Sequence, residues 1–113
     1  MRISIASSNV IVASELKWAR SMFSKARGLI GTPVMSPGAA LVIEQAKQVH
    51  TFGMTFPLDV VFCDPEWLVL HIVRSMAPGR MTRLVWRARF VIELPGGSLP
   101  SELQTGESLR LDP

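Results

Sequence analysis

A single cysteine, Cys63, occurs in the 113 residues. One thiol cannot close an intrachain disulfide or supply a Cys-paired zinc site, and nothing in the sequence requires an oxidising compartment. No run of about 18 apolar residues is present, so no spanning helix is expected. The opening "MRISIASSNVIVAS" has one positive charge, and Ser7, Ser8 and Asn9 interrupt its apolar run, which makes a poor signal-peptide core. A cytoplasmic location is the resulting expectation. Lysine-rich tails, basic runs, repeats, low-complexity tracts and linkers are also missing. The chain therefore reads as one domain, 1–113.

What is present describes a globular protein. Hydrophobic residues make up 48% and charged residues 19%, far from the composition of disordered chains. Twelve Lys+Arg against nine Asp+Glu leave +3, a weak general attraction for anions. "RISIA" and "NVIVA", joined by Ser8-Asn9, read as a strand pair. Ala19, Met22, Phe23, Ala26, Leu29 and Ile30 then fall on one helical face, closed by Gly31 and Pro33, with Arg20, Lys25 and Arg27 off that face.

"AALVI" reads as a buried strand. "LDVVFCDPEWLVLHIVR" reads as a central hairpin about Asp64-Pro65-Glu66. From Leu84 to Leu94 strict alternation predicts one long strand, with Leu84, Trp86, Ala88, Phe90, Ile92 and Leu94 on its dry side. After "PGG", Ser98 is a candidate N-cap for a one-turn helix carrying Leu99 and Leu103, and "ESLRL" is a last strand. The expected fold is α+β: a β-rich, mostly antiparallel, small distorted barrel with one main helix and a short second helix.

"ARGLIG", "VHTFGMTFPLDVVF", "VIELPGG" and "TGESLRL", in that order, resemble the domain of unknown function 192 family of small prokaryotic proteins. The resemblance spans residues 15–112. Two features depart from it: the closing turn has Gly106-Glu107 where Gly-Asp is usual, and the export signal of many members has no counterpart. The resemblance implies a compact β-rich fold and no established activity.

The family motifs hold Arg27, His50, Met54, Asp59 and Glu93. As an enzyme, the chain would use His50 as general acid or base, Asp59 or Glu93 to orient it, and Arg27 to clamp an anion. No nucleophile elbow supports Thr51 or Ser24. The structural reading of the same residues has Asp59, two places after Pro57, accepting backbone N–H bonds or pairing with Arg27, and His50, Phe52 and Met54 sharing one side of an extended segment.

His50, Met54 and Cys63 would make a soft metal set, but nothing in the sequence brings them together; His71 reads as a core or edge histidine. Arg80, Arg83, Arg87 and Arg89 surround Trp86, yet alternation puts Trp86 opposite Arg87 and Arg89, which points away from nucleic acid. The leading expectation is a binding or accessory domain. Its groove for a small anion or a peptide would be built from Arg27, Gly28, His50, Met54, Asp59 and Glu93, with no metal or cofactor.

Overall fold

A computed structural model describes residues 1–19, 36 and 38–113. Eight strands form two sheets: β1 (Arg2–Ile5), β2 (Ile11–Ala13), β3 (Glu15–Ala19), β4 (Ala39–Glu44), β5 (Leu58–Cys63), β6 (Val69–Met76), β7 (Phe90–Pro95) and β8 (Leu109–Asp112). The smaller sheet has the order β2-β1-β8 and the larger β3-β4-β7-β5-β6.

The β1–β2 connection closes because Asn9 adopts the left-handed region at φ 62° and donates its N–H to Ile5 O at 2.8 Å. Asn is one of the few residues that visit this region readily. At the β5–β6 hairpin, Asp64 Oδ1 accepts the N–H groups of Glu66 and Leu68 at 2.8 and 3.0 Å. Trp67 takes the left-handed position there at φ 65°. Its ring is held by stacking on Phe90 at 4.1 Å and by an edge contact with Trp18 at 6.2 Å, which offsets a conformation bulky residues seldom adopt.

The inner strands of the larger sheet, β4, β7 and β5, are buried on both sides. Ala40, Val42, Val61, Cys63, Ile92 and Leu94 face a core shared with Ile3, Ile5 and Leu109 of the smaller sheet. Leu41, Ile43, Val60, Phe62 and Val91 face a second core, closed by Ala46, Val49, Met54, Val85 and Ala88 from two long connections. This two-sided burial explains the apolar runs Ala39–Ile43 of β4 and Val60–Cys63 of β5.

These observations correct the α+β expectation. Among the described residues no helix occurs, the strands form two sheets, and neither sheet closes into a barrel. Of the residues expected to form the main helix, Ala19 ends β3, and the others lie outside the described residues. The one-turn helix after Ser98 is a series of turns. Its backbone is engaged from outside, for the Arg74 guanidinium donates to the carbonyls of Leu99, Pro100 and Leu103 at 3.2, 3.1 and 2.8 Å.

The long strand expected from Leu84 begins only at Phe90. Lys47 is the physical reason: its carbonyl accepts Val85 N–H at 2.8 Å, and its Nζ donates to Trp86 O and Ala88 O at 2.6 and 3.0 Å. The β5–β6 hairpin is present, but β6 is an edge strand, and the centre of the sheet is β7.

Candidate functional site

Two of the diagnostic motifs meet in one joint. Leu58 pairs with Pro95, Asp59 with Leu94 and Val60 with Glu93 across β5 and β7. Gly96 N–H donates to Pro57 O at 3.0 Å, and a Cβ at Gly96 would stand 3.0 Å from the Pro57 ring. Only a glycine fits this approach without a shift of the backbone.

Asp59 is 1% exposed. On the other side of β5, Leu58 pairs with Met76 and Val60 with Val73, so Arg74 and Ser75 form a bulge opposite Asp59. Asp59 Oδ1 accepts the Ser75 N–H at 2.7 Å and Oδ2 accepts the Leu99 N–H at 2.9 Å. The carboxylate thus takes up the amide that the bulge leaves outside the ladder and fixes the turn after β7. Both oxygens serve the backbone, as in the structural reading of the sequence.

His50 belongs to a different assembly. The connections 45–57 and 77–89 run against each other outside the second core. Thr82 N–H donates to Val49 O at 2.8 Å, and Val49 N–H donates to Thr82 Oγ1 at 3.0 Å. Thr51, fully buried, donates its hydroxyl to Ala77 O at 2.7 Å and accepts the Arg80 N–H at 2.9 Å. His50 forms an isolated antiparallel bridge with Met81, and its ring stacks on Phe52 at 5.0 Å. A groove of about 320 Å³, lined by residues 45–50 with Met81 and Leu84, opens beside it.

The candidate pair therefore does not converge. Asp59 alternates with Val60, which belongs to the second core, and bonds to Leu99 of the first; His50 follows Val49 of the second. The two lie on opposite sides of the larger sheet. Glu93, 0% exposed, registers with Leu41 and Val60 and so points toward the second core, away from Asp59. Met54 is buried in that core too, while Phe52 is exposed. The segment is a turn, with Met54 N–H on Thr51 O at 3.1 Å and Gly53 at φ 82°, so the shared parity expected of His50, Phe52 and Met54 does not hold. Arg27 and Gly28 lie outside the described residues.

Cys63 sits in the first core and Met54 in the second, so the soft metal set is divided by the sheet. Burial, with Asp64's charge adding, pushes the Cys63 thiol up to about 12, which keeps it protonated and a poor nucleophile. Among the described residues no group of three His, Cys, Asp or Glu could hold a metal ion.

Sequence reasoning missed Thr51, Thr82, Lys47 and Arg74 as organisers. Thr51 stands inside a diagnostic motif, which was a signal; for Arg74 the sequence carries none. The four arginines around Trp86 were legible there, but not the packing of their segment beside residues 45–57. Residues 45–57 and 77–89 contain Lys47, Arg80, Arg83, Arg87 and Arg89 and no Asp or Glu, and none of the five is in an ion pair among the described residues. Trp86 is in a turn, not on a strand face opposite the arginines, and is 73% exposed.

The uncharacterised family called domain of unknown function 192, described as "Uncharacterized ACR", matches residues 3–111. The chain belongs to this family. Two solved structures share the fold of this domain of unknown function 192 protein. One, a protein of unknown function from Novosphingobium aromaticivorans, has a TM-score of 0.82 at 14% identity over 98% of this chain and 84% of its own. The other, described as a candidate transcription regulator from Sinorhizobium meliloti, has a TM-score of 0.77 at 18% identity over 96% of this chain and 89% of its own. No curated protein matches the chain in sequence. Among the described residues no helix is long and apolar enough to cross a membrane.

Proposed function

We propose that this family member is a binding domain whose site is the groove beside His50, and that the groove takes a small anionic ligand or the acidic part of a peptide. The observation that carries this reading is the position of the groove within two connections that hold five cationic side chains and no carboxylate. Such a surface favours negative charge through summed potential even where no single pair is close. Acid–base catalysis by His50 with Asp59 is the weaker reading, because the Asp59 carboxylate is occupied by two amides on the far side of the sheet.

Within the proposal, His50 contacts the ligand, and the buried Met54, Asp59 and Glu93 keep the surrounding backbone in place. Arg27 and Gly28 remain candidates from the sequence alone. One folding unit in the cytoplasm is the setting we propose, consistent with a single, buried cysteine.

Titration with glycerol phosphate tests the groove. Nuclear magnetic resonance signals of His50 and Arg83 should move in the wild type, and His50→Ala should abolish the shift at Arg83 while the fold is retained. If the ligand moves neither signal, or moves Arg83 equally in the variant, the groove is not the site. An Arg27→Ala variant then reports whether that residue contributes to the same affinity.

A further inference from the structure

A small anion does not account for what surrounds the groove. Phe52, Met81, Leu84 and Trp86 are four of the seven large apolar side chains exposed among the described residues. They form one neighbourhood: Phe52 stacks on His50, Met81 and Leu84 line the groove, and the Trp86 carbonyl is bound by Lys47. Their exposure is built into the backbone. Thr82, Val85 and Ala88 are buried at every third position, and hydrogen bonds to Val49, Lys47 and Gln48 hold that spacing. Leu84 and Trp86 are thereby turned outward, with Arg83, Arg87 and Arg89 beside them.

We propose that this surface docks on an anionic bilayer, the anion in the groove being a lipid phosphate headgroup. The inference rests on the anion-binding reading above and names its ligand. Apolar and indole side chains at loop tips enter the boundary between headgroups and acyl chains, while guanidinium groups stay at the phosphates. Arginine suits this role because its planar fork meets phosphate oxygens in pairs.

Single-stranded nucleic acid would also meet the arginines, but it binds aromatic faces. Met81 and Leu84 have none, and His50 covers one face of the Phe52 ring, so that reading uses only Trp86 and the outer face of Phe52. The bilayer uses all four apolar side chains. It also fits the concentration of charge, since juxtaposed basic residues add their attraction to an anionic leaflet.

Co-sedimentation of the full chain with vesicles tests the proposal. Vesicles of phosphatidylcholine containing about one third phosphatidylglycerol should carry the protein down, those of phosphatidylcholine alone should not, and added salt should release it. The double variant Leu84→Ser/Trp86→Ser should lower partitioning by about tenfold or more, and Arg83→Gln/Arg87→Gln by a similar factor. Thermal melts of both variants check that they fold; the wild-type response to lipid charge and salt stands independently of them.

No partitioning onto anionic vesicles, or partitioning that neither variant changes, overturns the proposal. So does tight binding of oligothymidylate with vesicles ignored. Glycerol phosphate separates this failure from that of the groove: shifts at His50 without vesicle binding sink only the bilayer, whereas no response to either ligand sinks both.

Discussion

The two faces of the larger sheet use the same kinds of residue for opposite ends. On the first face, Asp59 is buried, its two oxygens hold the Ser75 and Leu99 amides, and the Arg74 guanidinium holds three carbonyls of the same turn. Charge there is consumed by backbone, which strengthens hydrogen bonds but leaves nothing to offer a ligand. On the second face, Lys47 is likewise held by the Trp86 and Ala88 carbonyls, but four arginines stand on connections without a carboxylate and in no ion pair among the described residues, and the apolar side chains among them are exposed. Motif density identifies the joint; unspent charge identifies the surface.

The comparison breaks first at Asp59. In Asp59→Asn one acceptor oxygen is replaced by an N–H donor aimed at a buried amide, so a loss of about 3 kcal/mol of stability is expected in urea unfolding. A change below about 0.5 kcal/mol would show that the carboxylate is not the strut described. Thr51 tests the anchoring of the second face from beneath. Thr51→Val keeps the shape but removes the bonds with Ala77 O and Arg80 N, and should cost about 2 kcal/mol. Amide exchange should speed up over residues 77–80 in that variant and remain slow in β7; equal acceleration throughout would contradict a local anchor.

The strands and turns around the joint were legible in the sequence; their meeting was not, and little of the surface was. Runs such as "ALVI" and "DVVFC" announced β4 and β5, and Asn9 and Asp64 announced their turns, because these depend on local conformation. The joining of "PLD" to "ELPGG" was not legible, since β7 enters between β4 and β5 from far along the chain. The alternation from Leu84 to Leu94 was misleading for a physical reason. Lys47, about forty residues earlier, bonds the carbonyls of Trp86 and Ala88 and bends a segment whose pattern alone suits a strand. His50 and Asp59, nine positions apart, looked like partners because sequence proximity does not say which side of a sheet each side chain takes.

A smaller effect sharpens the boundary between the faces. His71, on the edge strand β6 with its ring 5.7 Å from Phe62, has its pKa lowered from the ordinary 6.5, first by burial and then by the positive charge of Arg83. Above the ordinary value both folded and unfolded chains hold a neutral imidazole, and stability is unaffected. As pH falls below 6.5 the unfolded chain takes up a proton that the folded chain resists, so stability declines until the lowered folded pKa is passed. His71→Gln should flatten that part of the stability–pH curve measured by urea midpoints, and Arg83→Gln should flatten it partly. An unchanged slope in His71→Gln would assign the decline to other groups.

The smallest expected effect is the most informative about the exposed face. Trp86 is 73% exposed and makes its recorded bond through its carbonyl, not its ring. Trp86→Ser should therefore alter stability by no more than about 0.5 kcal/mol, the range of ordinary surface substitutions. The Lys47 bond to the carbonyl survives the change, so the bend should persist, as amide chemical shifts of residues 85–88 would report. A large loss would mean that the indole is a packing element and the outward face belongs to the same structural economy as Asp59. A neutral result instead leaves a large aromatic side chain held in water by a backbone that gains nothing from it, which is the condition expected of a residue whose partner lies outside the folded chain.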